Sequence, residues 1–267
     1  MNRHISRRTL IAIGFLLAAI ASMTLLLRAA RSRPVAAVDV SSRRQQIPKT
    51  VLWAWERPTN LAFVDPHEVG IAFLARTIRL AGDKVIVRPR LQPIDLPHSS
   101  TLIAVVRIET DRANKGLLSQ KQVVLLTDAV SELPRLPRVS AVQIDFDATR
   151  SEREFYRNVI VALRARLPQQ IGLSITALAS WCGDDDWISD LSIDEAVPML
   201  FRMGPDRDQI RNRVSSGEQF STALCRGSYG ISTDEPVGNL DRTKRLYVFN
   251  PQPWTEESVH AILELRK

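Results

Sequence analysis

The residues best placed to do chemistry in this sequence form one alternating stretch, Gln143-Ile144-Asp145-Phe146-Asp147. On a β-strand this alternation sends Gln143, Asp145 and Asp147 to one face, with the two carboxylates about 7 Å apart. Carboxylates at that separation repel, which raises the proton affinity of one of them. A protonated acid beside an ionised partner is what cleavage of a glycosidic bond requires. The stretch therefore predicts Asp145 and Asp147 as catalytic residues. The alternative is that Asp147 caps the next helix and Asp145 bonds to neighbouring side chains.

Acidic residues, arginines and tryptophans also occur at the ends of other apolar runs of the chain. In a parallel barrel the carboxyl ends of the strands meet at one face, where active sites form. We therefore expect a polar cleft at that face, although any strand becomes polar as it leaves a core. The substrate-binding candidates at these ends are Trp53, Trp55, Glu56, Glu109, Gln143, Trp181, Arg202, Asp234, Glu235 and Trp254.

The elements that must position these residues are short apolar runs separated by helical patterns. Capping signals predict helix starts at residues 65–68, 151–154 and 255–257. Strands are predicted at residues 51–56, 84–88, 102–109, 141–147, 172–180, 196–203, 229–233 and 245–250. Repeated strand-then-helix order favours a parallel sheet with helices outside it.

About eight such repeats without an internal linker predict an α/β fold, an irregular (β/α)7–8 TIM-like barrel over residues 50–267. Residues 82–101 depart from the pattern, because prolines interrupt them, and a hairpin or an irregular loop is expected there. The rival fold is an open doubly wound sheet. No Gly-rich turn follows the first predicted strand, so no nucleotide cofactor is expected.

The N-terminal 33 residues carry six arginines and no acid, around an uncharged apolar run of 18 residues, Leu10–Leu27. That run is long enough to cross a bilayer as a helix. We expect residues 1–33 to be an uncleaved signal anchor, with a cleaved signal peptide as the alternative, and residues 34–49 to be a linker. The barrel is then anchored at the inner membrane in the periplasm or another extracytoplasmic space, or is secreted after cleavage.

Charge and cysteine content exclude several partners and cofactors. Residues 34–267 contain 30 basic and 29 acidic groups, so no nucleic-acid partner is expected. Four scattered histidines and two cysteines predict no metal site. An oxidising compartment favours a bridge between Cys182 and Cys225. One cysteine follows a strand and the other precedes one, however, so they meet only if the segment before Tyr229 is irregular, and both states stay open.

At Gln143, Asp145 and Asp147 the sequence resembles the chitinase-type glycoside hydrolases, whose D-x-D-x-E signature ends the fourth strand of a TIM barrel. Phe201-Arg202 stands where that family has Tyr-Asp at a strand end. Trp254 is placed like its last-strand Trp. The resemblance implies that Asp147 protonates the leaving group while Asp145 helps the substrate's acetamido group. The sequence departs from that signature because Asp147 replaces Glu and Gln143 replaces Asp.

A broader resemblance covers most of residues 50–267. The chain is similar to an exported bacterial domain-of-unknown-function family with a glycoside-hydrolase-like TIM barrel. The matching segments are Gln143–Asp147, Ser174–Cys182, Asp194–Gly204 and Gly230–Pro236. This likeness implies no reaction, but it strengthens Trp181, Arg202, Asp234 and Glu235 as candidate site residues.

Together these observations predict an envelope-anchored carbohydrate-active protein, a glycoside-hydrolase-like enzyme that acts on a cell-envelope or extracellular glycan. Glycan or peptidoglycan and the membrane are the expected partners. The alternatives are a non-catalytic glycan- or peptidoglycan-binding barrel, favoured by the replaced Glu and Tyr, and a structural envelope protein. The sequence gives no indication of oligomeric state.

Overall fold

The computed structural model describes residues 47–183 and 185–266. Eleven strands occur in this part of the chain. They are β1 (Thr50–Ala54), β2 (Thr59–Asn60), β3 (Val69–Ala81), β4 (Lys84–Pro89), β5 (Ile94–Asp95), β6 (Leu102–Thr110), β7 (Val139–Asp145), β8 (Gly172–Leu178), β9 (Glu195–Met199), β10 (Ser228–Ser232) and β11 (Arg245–Phe249).

Eight of these strands close into a parallel barrel. Their order around the barrel is β1, β3, β6, β7, β8, β9, β10 and β11, and β11 pairs again with β1. Every neighbouring pair in this ring is parallel. The prediction of a TIM-like α/β barrel is therefore confirmed.

The helical layer outside the barrel is incomplete in the described residues. Four α-helices are present: α1 (Gln120–Ser131), α2 (Arg153–Arg166), α3 (Arg207–Ser215) and α4 (Glu256–Glu264). Capping boxes at Ser119 and Thr255 begin α1 and α4, and another at Thr149 leads into α2 through a short 3-10 turn. Within the described residues, the connections β1–β3, β3–β6, β8–β9 and β10–β11 contain no α-helix.

The second barrel strand differs from the sequence prediction. The helix expected from residue 65 is a turn in which Asp65 accepts the His67 N–H at 2.8 Å, and the strand β3 begins at Val69. The predicted strand at residues 84–88 exists as β4, but it pairs antiparallel with β3 outside the barrel, so the hairpin alternative is correct. A strand forms because residues on both faces of β3 are buried, as in the other strands of a closed parallel barrel.

Two apolar cores lie on the two sides of the barrel wall. The inner core fills the lumen, and the outer core lies between the strands and the surrounding helices and loops. Gly230 leaves room for the lumen aromatic residues, because a Cβ at this position would lie 3.0 Å from the Trp53 ring. The main inner-core residues are Val51, Trp53, Ala72, Leu74, Ile103, Val105, Ala141, Val197, Phe201 and Tyr247.

Cys182 and Cys225 form a disulfide with a Cα–Cα distance of 5.8 Å. Each cysteine ends a short 3-10 turn rather than a strand, and both belong to the outer core. The irregular segment before β10 therefore brings them together. The sequence left open whether the two cysteines are bridged, and the structure shows that they are.

The predicted signal anchor at residues 1–33 and most of the predicted linker lie outside the described residues. The last linker residues are described, and Ile47 packs into the lower end of the lumen. Within residues 47–183 and 185–266, no helix has the length and apolar character needed to span a membrane.

Candidate active site at the carboxyl ends of the strands

Asp145 ends β7 on the lumen side of the barrel wall, with its side chain 12% exposed. The Thr176 hydroxyl, on the neighbouring strand β8, donates to Asp145 Oδ1 at 2.7 Å. Arg107 on β6 places Nη1 3.5 Å from Asp145 Oδ2. Strands on both sides therefore hold the carboxylate in one orientation.

Burial raises the pKa of the Asp145 carboxyl, while the hydrogen bond from Thr176 lowers it. The negative charge of Asp147 raises this pKa further, and the Arg107 charge opposes that effect. The net direction is upward, so Asp145 holds a proton more readily than an ordinary aspartate. The sequence expected such a shift from the paired carboxylates, but desolvation is the larger cause.

Asp147 lies two residues beyond Asp145 and is exposed. It makes no hydrogen bond or ion pair with any other described residue. The residue that leads into α2 is Thr149, which forms a capping box with Glu152. Among the described residues Asp147 thus has no hydrogen-bond or ion-pair partner, and its charge acts on Arg107 and Asp145 from just beyond the end of β7.

Asp145 and Asp147 line one cavity of about 680 Å³, which we call the acidic cleft. Most of its charged groups are paired: Arg79 lies 3.6 Å from Asp111, and Arg107 Nε donates to Glu109 at 2.9 Å. The charged residues that line it are Arg79, Arg107, Glu109, Asp111, Arg112, Lys115, Asp145, Asp147 and Glu152. The cleft can therefore supply and accept a proton, with Asp145 buried and Asp147 open to solvent.

Gln143 lies deeper in the lumen and does not line the acidic cleft. The indole N–H of Trp53 donates to Gln143 Oε1 at 2.9 Å, and Gln143 Nε2 lies 3.4 Å from Ser174 Oγ. Gln143 therefore ties β1, β7 and β8 together inside the barrel, two residues below Asp145 on the same face.

A second cavity, of about 610 Å³, opens beside the first, and we call it the tryptophan cavity. Trp53, Trp55 and Trp254 line it. Trp254 Nε1 donates to the Trp53 carbonyl oxygen at 3.0 Å, which fixes the loop after β11 against β1. The Arg107 guanidinium, which lines the acidic cleft, lies 5.8 Å from the centroid of the Trp55 ring, which lines the tryptophan cavity.

Arg202, Asp234 and Glu235 form an ion-paired group at the rim of the barrel. Arg202 has a positive φ of 52°, and its N–H lies 3.3 Å from both Glu235 carboxylate oxygens. Its guanidinium contacts Asp234 at 3.0 Å and Glu235 at 3.2 Å. A hydrogen bond from Ser232 lowers the pKa of Asp234. None of these three residues lines either cavity.

Of the remaining predicted site residues, some line one of the two cavities and others lie elsewhere. Glu109 lines the acidic cleft, whereas the exposed Glu56 lines neither cavity. Trp181 is 3% exposed and packs in the outer core, where its ring centroid lies 5.0 Å from that of Trp187. The structure thus brings Asp145, Asp147, Glu109, Trp53, Trp55 and Trp254 to the two cavities.

Sequence reasoning missed Arg107 and Thr176, the two side chains that hold Asp145. Both lie on predicted strands with the same alternation as the carboxylates: Arg107 is two residues before Glu109, and Thr176 is two residues after Ser174. That parity marks them as lumen-facing. The sequence does not reveal that β6 and β8 are the neighbours of β7, and this pairing is what places Arg107 and Thr176 beside Asp145.

No protein-family model, curated protein or solved structure matches this chain.

Proposed function

We propose that the protein is a glycoside-hydrolase-like enzyme that acts on a cell-envelope or extracellular glycan. The observation that carries this proposal is the pair in the acidic cleft, where a buried aspartate with a raised pKa lies beside an open one. Environments that separate the proton affinities of two neighbouring carboxyls assign acid and base roles.

In the proposed reaction Asp145 donates its proton to the leaving oxygen as the glycosidic bond breaks, because burial raises its pKa and favours the protonated form. Water supplies the hydroxyl of the new reducing end, and Asp147, which is open to the cleft, accepts the proton that this water gives up. These roles are the reverse of those that the chitinase resemblance implies, because the raised pKa belongs to Asp145.

The second candidate is a glycan-binding barrel without catalysis. The contact between Arg107 and Asp145 favours it, because a nearby cation favours an ionised carboxylate. In that case the protein attaches to glycan or peptidoglycan through the acidic cleft and the tryptophan cavity. Anchoring at the membrane and a periplasmic location would suit either candidate and are also proposals.

The test is hydrolysis of short chitin and peptidoglycan fragments by the purified protein and by its Asp147→Asn variant. The variant should lose hydrolysis by at least about 100-fold, the scale of general acid–base catalysis, and should keep glycan binding. Asp83→Asn is the matched control, since Asp83 is exposed in the β3–β4 turn and lines neither cavity.

Equal hydrolysis by wild type and Asp147→Asn would overturn the assignment of Asp147. A wild-type protein that binds the fragments and releases no product would favour the binding barrel instead. If the purified protein shows neither glycan binding nor hydrolysis, both candidates lose their support.

A further inference from the structure

We infer that the tryptophan cavity is a binding subsite for neutral pyranose units of the glycan, seated on Trp55 beside the acidic cleft. This inference rests on the proposed function, and it names the class of substrate that the same candidate active site would bind. The cavity lies between the segment after β1, the small β2–β5 sheet and the loop after β11. Its volume of about 610 Å³ falls within the usual range for small-molecule sites, about 300–1,000 Å³.

The three tryptophans of this cavity differ in whether their indole N–H groups and ring surfaces remain available to a ligand. The indole N–H groups of Trp53 and Trp254 already donate within the protein, to Gln143 and to the Trp53 carbonyl oxygen. Trp55 is only partly buried, and its N–H makes no hydrogen bond to any described residue. Arg107 and Phe249 contact part of the Trp55 ring, so Trp55 offers a ligand the rest of its apolar surface together with an unused donor. A sugar ring, with C–H groups on its faces and hydroxyls at its edge, matches that combination.

Polar side chains are held around this aromatic surface. Asn250 is 8% exposed, and its Oδ1 accepts from the Thr233 hydroxyl at 2.9 Å and from the Gln252 N–H at 3.0 Å. Asn60 Oδ1 likewise accepts from the Ala62 N–H at 3.0 Å. The amide nitrogens of Asn60 and Asn250 donate to no described residue. Both asparagines line the cavity, and their amide groups are donors for which hydroxyl oxygens are suitable acceptors.

The charge of the lining favours a neutral ligand. Arg57 and Asp95 are the ionisable side chains that line the cavity, and their charges are opposite. Arg57 also donates to the Pro251 carbonyl oxygen at 2.7 Å. The acidic cleft, by contrast, is lined by nine charged residues. A phosphorylated ligand or a polymer of acidic sugars would find no excess of positive charge in the tryptophan cavity.

The cavity is joined to the catalytic pair by direct contacts. Trp53 bonds to Gln143, which lies on the same strand face as Asp145. Trp55 lies against Arg107, whose guanidinium contacts Asp145. A pyranose unit on Trp55 would therefore be separated from Asp145 by one side chain, that of Arg107.

The test is calorimetric titration of the full chain with two neutral tetrasaccharides, chitotetraose and cellotetraose, and with acidic tetragalacturonate. At least one neutral tetrasaccharide should bind, and tetragalacturonate should not bind more tightly. Trp55→Ala should weaken binding by about tenfold or more, because it removes the ring and its N–H. Gln252→Ala, at an exposed position of the lining, should weaken binding by about threefold.

Leu91→Ala is the matched control, since Leu91 is 86% exposed and lines neither cavity. The inference is overturned if neither neutral tetrasaccharide binds, if tetragalacturonate binds best, or if Trp55→Ala binds like wild type. Should Trp55→Ala not fold, unchanged binding by Gln252→Ala and Trp55→Phe together would overturn it. Trp55-dependent binding without hydrolysis would support the subsite and defeat the proposed catalysis, so the two failures are distinguishable.

Discussion

Burial of the Asp145 carboxylate lowers the stability of the fold at neutral pH. Its carboxylate is buried between Thr176 and Arg107, yet burial outweighs these favourable contacts and raises its pKa. The folded protein therefore binds a proton at Asp145 more tightly than the unfolded chain does. Folding stability contributed by this group must then fall as pH rises from the ordinary aspartate pKa through the raised one.

The first prediction at this scale concerns Asp145→Asn. The amide keeps an oxygen for the Thr176 hydroxyl and removes the buried negative charge, so the variant should be more stable than wild type at pH 7. The difference should shrink as pH falls below the raised pKa, where Asp145 is protonated in the wild type. Thermal unfolding from pH 4 to pH 8 measures it.

Asp190→Asn serves as a control of opposite sign. A hydrogen bond from Arg157 lowers the pKa of this exposed aspartate, so its charge stabilises the fold above the ordinary aspartate pKa. Its variant should lose a little stability at pH 7 rather than gain any. If Asp145→Asn were destabilised at pH 7 more than at pH 4, the argument about desolvation would be wrong.

At the scale of elements, the segment that carries Trp55 is held by one arginine from the loop after β4. The Arg90 guanidinium donates to the carbonyl oxygens of Ala54, Trp55 and Arg57, and the Arg90 N–H donates to the Ala75 carbonyl oxygen at 2.9 Å. Burial lowers the Arg90 pKa, but the group stays charged. The β3–β4 hairpin thus positions a wall of the tryptophan cavity from outside the barrel.

Arg90→Ala should therefore lower the free energy of unfolding by about 1–3 kcal/mol, since it leaves several carbonyl oxygens without their donor. Arg90→Lys should recover only part of this loss, because an ammonium lacks the planar fork of a guanidinium. Urea unfolding measures both. Arg88→Ala is the control, as Arg88 is exposed on β4, and an equal loss there would show that Arg90 has no special role.

The sequence predicted seven of the eight barrel strands because each combines a short apolar run with polar turn residues. It missed β3 because the residues before it carry a helix-start signal. Local signals favoured a helix, and closure of the barrel between β1 and β6 required a strand. The disulfide was undecided for a similar reason. Strand positions alone placed Cys182 and Cys225 at opposite ends, and only the irregular turns bring them together.

At the scale of the whole molecule, alternation within a strand predicted which residues face the lumen, but not their partners. The contact between Trp53 and Gln143 spans 90 positions, and that between Asp145 and Thr176 spans 31. Such pairs depend on which strands become neighbours. For the same reason the sequence placed Trp181 among the substrate-binding candidates from its position after a strand, whereas its side chain packs in the outer core.

The lower end of the barrel is closed by a buried ion pair. Glu195 and Arg245 have side chains 4% and 7% exposed, with Arg245 Nη1 3.0 Å from Glu195 Oε1. The Tyr247 hydroxyl donates to Glu195 Oε2 at 2.9 Å. Arg245 also donates to the carbonyl oxygens of Ile47 and Pro48. This charged layer joins β9, β11 and the segment before β1, so it ties the first described residues to strands near the end of the chain.

Glu195→Gln should consequently destabilise the whole barrel, by about 3–5 kcal/mol, because it leaves the Arg245 charge buried without the Glu195 carboxylate. Tyr247→Phe removes only one hydrogen bond and should cost about 1–3 kcal/mol. Because Glu195 and Tyr247 share that bond, the double variant should lose less than the two single losses added together. Urea unfolding of the four proteins measures this coupling. Additive losses, or a Glu195→Gln protein within about 1 kcal/mol of wild type, would mean that the ion pair does not hold the lower end closed, and that apolar packing of the lumen suffices.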